Sequence, residues 1–545
     1  MRGPSSSADA AIAGAAAVPR RGAQVAVLGG GPAGAVAALC LARRGHAVTL
    51  VERGRLHPGS ERSHPCETLA AGALPLLAEL GLADLPARCG ARADASSERH
   101  WPPAAANRAD GAMAAAAMAA GGSARDALAL PRDRFDALLR QAACAAGARL
   151  LGAHAGAPQP LDGGWATPLR HDGRHTLLRA DLVIDARGRR GAPAAADGPR
   201  SVALCGHWRP RHAAGEATGD AAGGASPFGG SVVAAHADGW VWLLPSVGVS
   251  AGTSEGEGAG DGAGEAAAAR CVAAFVDAAA LHGLDGGGRE RLYRRHLAAA
   301  APLSSRLAGC VLVALRVCDA TPRAAADAAP APGLLLAGDA AACIDPLSSQ
   351  GLAAALRSGV QAAACVHTAW HRPADAALAW ELHRARSRAH AQRHARLAGS
   401  HHAAPAAQWP GPFWTPRARA APPVPAWPDL QARLALAANV RIEPHTVLDD
   451  GWVRQRPALA APGFDEPVTH LAGVPIERWL AALGAADEAP TLAVLLDRWH
   501  AAFGPARTAA AFGRLWQAGA LSERGAAAAR APSPSRSLSP LQSAS

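Results

Sequence analysis

The stretch Gly338-Asp339-Ala340-Ala341-Ala342-Cys343-Ile344-Asp345-Pro346-Leu347-Ser348-Ser349-Gln350-Gly351 decides the fold of this chain. Its apolar lead-in, its Gly-Asp pair and the apolar run that follows predict a strand end, a tight turn and a helix start. A second glycine-rich stretch, Gly29-Gly30-Gly31-Pro32-Ala33-Gly34, lies near the N-terminus. We interpret the two stretches as halves of one nucleotide site, so the fold has to bring distant parts of the chain together.

The N-terminal stretch has the spacing of a dinucleotide-binding turn. Gln24 to Leu28 predicts a short buried strand and residues 35–44 predict a helix, so Gly29-x-Gly31-x-x-Gly34 lies between them. The three glycines permit a tight turn, close approach of a pyrophosphate and helix–strand packing, and the helix N-terminus offers unpaired N–H groups to phosphates. Glu52 closes the next predicted strand, where a carboxylate can bind ribose hydroxyls. The pattern predicts a bound ADP moiety, but it does not separate NAD from FAD.

Composition argues against several classes of protein. The chain has 545 residues and a formal net charge of +10, which is enough length for two or three domains. All 54 basic residues are arginine, and they are scattered without a basic stripe interleaved with aromatic residues, which argues against a nucleic-acid partner. Ten cysteines without a CxxC pair indicate a reduced, cytoplasmic protein. No apolar run is long enough to span a membrane.

Further motifs resemble a known superfamily. Arg132-Asp133-Arg134-Phe135-Asp136 opens a predicted helix, and residues 181–189 cover a short predicted strand and its turn. Together with Gly338-Asp339, these segments resemble the para-hydroxybenzoate hydroxylase superfamily of FAD monooxygenases. The resemblance implies an α/β fold in which a glutathione-reductase-like Rossmann domain for FAD is interleaved with a β-sheet substrate domain.

The resemblance also implies roles for individual residues. Asp339 would bind the ribityl chain, Arg132 would lie near the flavin phosphates or ring, and the helix after Gly351 would direct its N-terminus at the N1–C2=O locus. From the residues alone, Arg132 also fits a salt bridge at a helix start, and Asp339 a turn. The residues expected to bind FAD are Gly29, Gly31, Pro32, Ala33, Gly34, Glu52, Arg53, Arg132, Gly338, Asp339, Gln350 and Gly351.

A narrower likeness is to the flavin-dependent halogenases. Trp240-Val241-Trp242-Leu243-Leu244-Pro245 is similar to their Trp-x-Trp-x-Ile-Pro segment, and Asp345 to Ser349 is similar to the segment that covers their isoalloxazine ring. Halogenases depend on a lysine that captures hypohalous acid near the substrate. Because this chain has no lysine, halogenation by that route is disfavoured.

A further likeness is to a group of maturation flavoproteins. Their targets are the tryptophylquinone enzymes, namely amine dehydrogenases and amino-acid oxidases that build a cofactor from their own Trp. The likeness rests on residues 345–359, on Pro65-Cys66-Glu67-Thr68-Leu69 before residues 76–82, and on Trp409-Pro410-Gly411-Pro412-Phe413-Trp414. The likeness implies hydroxylation of a peptidyl Trp through a flavin C4a-hydroperoxide, with a Trp-containing protein or peptide as the partner. A small-molecule aromatic hydroxylase and a flavin-dependent reductase of isoprenoid-like double bonds remain alternatives.

The same likeness gives the candidate catalytic residues. The segment after Asp345 would form the wall over the flavin, and the two tryptophans of the Trp-x-Trp segment would line the aromatic pocket, although their alternation also fits one core face of a strand. His64, Glu67 and Asp345 are acid or base candidates by proximity to these segments. The candidate catalytic residues are Glu67, Trp240, Trp242, Pro346, Leu347, Ser348 and Ser349.

The source of electrons is open. Gly256-x-Gly258-x-Gly260 lies in a low-complexity stretch without a preceding strand, so there is no second dinucleotide fingerprint. Electrons would come from NAD(P)H directly or through a partner reductase. We expect no metal site, because His383, His390 and His394 lie in an arginine-rich helix that we interpret as a solvated basic face.

Composition shifts divide the chain. We expect a disordered leader over residues 1–22 and a disordered tail over residues 522–545. Helical spacing near the C-terminus predicts a small, mainly helical domain. The remaining boundaries are an FAD domain in two parts (23–200 and 326–402), a β-rich substrate domain (201–325), a Pro/Trp-rich linker (403–429) and the C-terminal domain (430–521).

Overall fold

The computed structural model describes residues 21–53, 67–93, 98–102, 127–191, 198–211, 230–244, 270–420, 425–483 and 489–524. The leader before residue 21, the tail after residue 524, the Gly256 loop, and the residues His64, Pro65, Cys66 and Pro245 lie outside these ranges. Among the described helices, none is both long and apolar enough to cross a membrane.

The α-helices, in chain order, are α1 (Pro32–Arg43), α2 (Leu74–Glu79), α3 (Leu85–Arg88), α4 (Arg132–Ala145), α5 (Gly286–Ala299), α6 (Pro302–Arg306), α7 (Gly351–His371), α8 (Ala376–Gln408), α9 (Ile476–Leu483), α10 (Leu492–Phe503) and α11 (Pro505–Gln517). The strands, in chain order, are β1 (Gln24–Leu28), β2 (Ala47–Glu52), β3 (Glu67–Leu69), β4 (Arg92–Ala93), β5 (Glu98–His100), β6 (Leu128–Leu130), β7 (Arg149–Gly152), β8 (His154–Ala155), β9 (Gln159–Leu161), β10 (Gly164–His171), β11 (Arg174–Ala180), β12 (Leu182–Asp185), β13 (Ser201–Pro210), β14 (Val232–His236), β15 (Gly239–Leu244), β16 (Arg270–Asp277), β17 (Cys310–Asp319), β18 (Arg323–Ala324), β19 (Leu334–Leu336), β20 (Ala342–Cys343), β21 (Leu434–Leu436), β22 (Arg441–Asp449), β23 (Trp452–Ala460), β24 (His470–Leu471), β25 (Val474–Pro475) and β26 (Leu521–Glu523).

A five-stranded parallel sheet unites the two glycine-rich stretches. Its order is β19-β12-β1-β2-β7, so β19, which leads into Gly338, lies only one strand away from β1, which leads into Gly29. Strand β12 pairs in parallel with both of them. Parallel strands present their carboxyl ends at one edge of a sheet, and ligands bind there. The predicted α/β fold class is therefore confirmed.

A second sheet, of six strands, forms the wall opposite the parallel sheet. Its order is β17-β13-β16-β15-β14-β5. One face packs on α5 through Val241, Val272 and Tyr293, whose hydroxyl accepts a hydrogen bond from Trp208 Nε1 at 2.9 Å. The other face carries Trp240, Trp242, Leu244, Cys271, Ala273 and Phe275. Strand β15 is thus buried on both faces of the sheet, which explains why its residues after Gly239 are apolar without interruption.

The expected linker over residues 403–429 is wrong in its first half. Helix α8 continues to Gln408, and Trp414 is fully buried against the six-stranded sheet. Its Nε1 donates to His236 O at 2.8 Å, and Arg417 donates to Asp277 at 3.0 Å. Proline content suggested a linker, but the buried indole of Trp414 and the paired arginine hold this segment on the sheet.

The C-terminal residues form two structures. Trp479, Trp499, Leu495 and Leu515 make a separate core around α9 to α11. The hairpin β22–β23, in contrast, packs on α7, where Val453 N donates to Thr368 Oγ1 at 2.9 Å. The predicted helical region is present, but Leu448 and Val453 of this hairpin pack in the core of the FAD-binding part, while Leu459 packs in the C-terminal core.

Helix α8 is not the solvated basic helix that its composition suggested. His383 is fully buried, and its Nε2 donates to Leu336 O at 2.8 Å while its Nδ1 accepts from Gln361 Nε2 at 3.0 Å. Both ring nitrogens are therefore satisfied in the neutral form. Burial lowers the pKa of His383 to about 4.

This histidine predicts acid lability. Because the folded pKa lies below the unfolded value, the unfolded state takes up a proton first, and the free energy of unfolding falls as pH drops from 6.5 towards 4. We expect His383→Gln, whose amide can still donate to Leu336 O, to reduce this slope by about 1.4 kcal/mol per pH unit. Urea unfolding at several pH values measures it. His282→Gln, at an exposed position, serves as control. An unchanged slope in His383→Gln would contradict the assignment.

Candidate active site

A cavity of about 650 Å³ lies between the carboxyl edge of the parallel sheet and the six-stranded sheet. Both glycine-rich stretches line it, and so does the end of β12. The predicted cofactor residues on its wall are Gly29, Gly31, Pro32, Ala33, Glu52, Arg53, Arg132, Gly338, Asp339 and Gly351. Gly34 and Gln350 are not on the wall. The sequence motifs therefore converge on one volume.

The first turn of α1 has the shape of a phosphate cradle. Gly29 has a φ of +101°, which only glycine adopts readily. A Cβ on Gly31 would meet no atom within 4 Å, whereas a Cβ on Gly34 would lie 1.9 Å from Gly29 O. No side chain caps the helix at Gly31, so the N–H groups of the first turn are available to an anion. The open space and the uncapped helix fit a pyrophosphate.

Glu52 is placed to bind a ribose and also fixes the turn. Its Oε2 accepts from Gly30 N at 2.7 Å. Arg140 donates from the other side to Gly30 O at 3.1 Å. The turn is thus held by one carboxylate and one guanidinium. The sequence interpretation missed Arg140, although it lies eight residues after Arg132 on the same face of α4.

The Gly338-Asp339 turn supplies the second half of the site. Gly338 has a φ of +61°, and its N–H donates to Ser358 Oγ of α7 at 2.9 Å. The side chain of Asp339 faces the cavity. Partial removal of its carboxyl group from water raises the pKa of Asp339, and the charge of Arg189 opposes that rise. A carboxylate that is directed into the cavity fits a polyol chain such as the ribityl of FAD.

Arg132 lies in the cavity wall, where its guanidinium group pairs with two carboxylates. Its Nε donates to Asp136 at 2.8 Å, and its terminal nitrogen donates to Glu67. Burial alone would lower the pKa of Arg132, but the two carboxylates outweigh it and raise that pKa. Burial raises the pKa of Asp136 while Arg132 opposes it. The helix-start salt bridge is therefore present, and the same guanidinium also faces the cavity.

The segment between the turn and α7 forms a capped short helix. Asp345 Oδ1 accepts from Leu347 N at 2.9 Å and caps a short 3-10 helix, Pro346–Ser348. Ser349 has a φ of +49°, a left-handed conformation that costs about 1 to 2 kcal/mol for a residue with a Cβ. Pro346 and Ser349 line the cavity, but Leu347 and Ser348 do not. Strain of this kind clusters at functional segments.

The aromatic wall consists of Trp242 and Phe275, together with Leu244 and Cys205. Trp240 does not reach the cavity, because its ring stacks on Phe275 with centroids 3.8 Å apart. The strand register explains this stacking, because Trp240 of β15 lies directly opposite Phe275 of the neighbouring β16. Both rings lie on the same buried face of β15, and of the two only Trp242 lines the cavity. Nothing in the local sequence identified Phe275, because its place depends on strand pairing.

Three histidines outside the cavity also cluster. Ring nitrogens of His46, His367 and His371 lie within 4.8 Å of one another. Ala23 N donates to His46 Nδ1, so the proton of His46 sits on Nε2 and is shared with His367 Nδ1 at 2.9 Å. Burial lowers the pKa of His46 to about 4, and the charges of His371 and Arg44 add to that effect. These hydrogen bonds account for the contact between His46 and His367.

Comparisons with known proteins agree with this geometry. Residues 22–202 match the family described as FAD binding domain. The peptidyl tryptophan dihydroxylase QhpG, described as essential for tryptophylquinone cofactor biogenesis, is 25% identical with a TM-score of 0.60, covering 91% of this chain and 99% of its own. The flavin-dependent halogenase CmlS is 20% identical with a TM-score of 0.68, over 92% and 96% of the two chains. The myxobacterial chondrochloren halogenase CndH is 20% identical with a TM-score of 0.54, over 74% and 87%. No curated protein matches this chain.

Two glycine substitutions test the cradle. A Cβ at position 31 meets open space in the folded protein, so we expect Gly31→Ala to change the free energy of unfolding by no more than about 1 kcal/mol. It should weaken FAD binding, because the Cβ takes the space of the pyrophosphate. Gly34→Ala, in contrast, should destabilise the protein without FAD by about 1 to 3 kcal/mol through its clash with Gly29 O. Thermal unfolding and flavin titration measure both effects, and equal behaviour of the two variants would contradict the cradle.

Proposed function

We propose that this FAD-dependent oxidoreductase is a monooxygenase that hydroxylates the indole ring of a Trp in a protein or peptide, as a step in tryptophylquinone biogenesis. The observation that carries the proposal is the joining of an FAD cradle and an aromatic wall in one cavity. The likeness to a peptidyl tryptophan dihydroxylase supports it, because that likeness spans 99% of the other chain. The absence of lysine separates this chain from halogenation by the lysine route.

The residues present divide the work. FAD, when bound, would supply an electrophilic oxygen atom derived from O2. Trp242, Leu244 and Phe275 form an apolar wall that would exclude water and hold an indole by ring contacts. Pro346 and Ser349, fixed by the cap of Asp345, would hold the opposite side of the pocket in place.

The N-terminus of helix α7 would stabilise negative charge in the cavity. It begins at Gly351 on the cavity wall, and no side chain caps its N-terminus at Gln350. The partial positive charge of that terminus favours negative charge on a group lying beside it. Glu67 Oε1 would be 3.9 Å from a Cβ at Gly351, so the carboxylate paired with Arg132 lies next to the same terminus. Its position beside that terminus supports a role for Glu67 at the edge of the cavity.

Isotope incorporation tests the proposal. The protein with bound FAD is reduced without oxygen and mixed with ¹⁸O2 and, in separate reactions, with Trp-containing peptides of varied sequence, free tryptophan or indole. The products are analysed by mass spectrometry. We expect one ¹⁸O atom on the indole of at least one peptide. Incorporation only into free tryptophan or indole would favour a small-molecule hydroxylase. Loss of all the oxygen to hydrogen peroxide with every substrate would contradict monooxygenation.

A matched pair of tryptophan substitutions locates the substrate. Trp242 lines the cavity and Trp240 is covered by Phe275. We expect Trp242→Phe to lower the yield of hydroxylated peptide per O2 consumed, by up to about tenfold if one ring contact is lost. Trp240→Phe should leave that yield near the native value. The two yields are measured with an oxygen electrode and mass spectrometry. A larger effect at Trp240 would contradict the placement of the indole.

A further inference from the structure

A second cavity, of about 390 Å³, opens beside the first. Its walls come from α7, α8 and the C-terminal residues around Asp465 and Arg514. Its volume is within the usual range for small-molecule sites. The residues that it shares with the first cavity are Gly338, Asp339, Ile344, Gly351 and Ala355. A ligand there would meet the Gly338-Asp339 turn from the helical side, while the aromatic wall remains free for a substrate.

The charges of this second cavity are unbalanced. Its four arginines are Arg357, Arg386, Arg393 and Arg514, and its three carboxylates are Asp339, Asp465 and Glu466. Glu466 lies 3.9 Å from Arg386, and Asp465 pairs with Arg396, which is outside the cavity. Among the residues that the structure describes, no carboxylate lies within 4 Å of the other three guanidinium groups.

Like charges are also close together in this cavity. Burial lowers the pKa of Arg357, and the charge of Arg393 lowers it further. Burial lowers the pKa of His390 to about 3, and the neighbouring His394, Arg393 and Arg357 add to the shift. Arg386 Nε is buried without a hydrogen-bond partner. Such a wall favours a bound anion, and the planar guanidinium matches the oxygens of a phosphate.

We propose that the second cavity binds the phosphates of a nicotinamide dinucleotide and so brings the reductant to the flavin of this same chain. The inference rests on the proposed function, since oxygenation consumes one aromatic C–H, O2, one dihydronicotinamide and a proton, and yields a C–OH, water and the oxidised nicotinamide. The hydride leaves the dihydronicotinamide ring for the flavin, so the donor has to reach the flavin site. The residues shared by the two cavities place the second cavity directly beside the flavin site, and its volume suits a small molecule better than a polypeptide segment.

The experiment uses the FAD-loaded protein, so that the flavin phosphates are already in their cradle. Calorimetric titration with adenosine 2′,5′-bisphosphate measures phosphate binding without any redox reaction. Arg393→Gln and Arg514→Gln change exposed residues of the cavity wall, so folding is preserved. Arg388→Gln removes the same charge from an exposed position of α8 that is not on the wall and is the control.

We expect each wall variant to weaken binding of the bisphosphate by about tenfold, as for one lost charge-assisted hydrogen bond, and the control to bind as the native protein does. Anaerobic reduction by NADPH should slow in the same variants, whereas oxygenation after dithionite reduction should not change. Absence of bisphosphate binding to the native protein, or equal binding by all variants, would overturn the inference. If neither NADH nor NADPH reduces the native flavin while the dithionite-reduced protein still hydroxylates a peptide, this inference fails and the proposed function stands.

Discussion

The structure depends on contacts of the α1 backbone with its neighbours on two sides. On one side Gly34 lies so close to the turn that a Cβ would be 1.9 Å from Gly29 O. On the other side Gly359 of α7 would place a Cβ 2.3 Å from Ala33 O. Without side chains at these two positions, α1 fits between the turn and α7. Since α7 begins at Gly351, the same packing sets the phosphate cradle against the second half of the flavin site.

Local sequence was sufficient wherever a residue's role depends on its neighbours in the chain. Gly29, Gly31, Glu52 and the Gly338-Asp339 turn were all singled out by pattern, and all of them line the cavity. Their geometry is set by positive φ angles and a helix terminus, which are short-range properties. The α/β class followed from the same motifs, because a strand–turn–helix unit of this kind builds a parallel sheet.

Residues whose place depends on long-range pairing were not predictable. Phe275 covers Trp240 only because β15 and β16 pair in one register, and a shift of one residue would reverse both faces. Trp414 was assigned to a linker because prolines surround it, although its indole is buried beneath the sheet. The basic composition of α8 also concealed that His383 and His394 are buried. Sequence gives charge and hydropathy, but burial of a polar ring depends on partners that lie far away in the chain.

The proposed substrate site and the proposed reductant site lie on two sides of the Gly338-Asp339 turn. The aromatic wall lies on the side of the six-stranded sheet, and the arginines lie on the side of α7 and α8. A Trp substrate and an anionic reductant could therefore approach the flavin without competing for the same surface.

The measurement that tests the account most directly is stopped-flow absorbance of the reduced, FAD-loaded protein mixed with O2 in the presence of Trp-containing peptides. The account predicts a spectral species that forms and decays before the oxidised flavin spectrum returns, with less than one hydrogen peroxide released per flavin. Direct return of the oxidised spectrum, with one hydrogen peroxide per flavin with and without peptides, would contradict it.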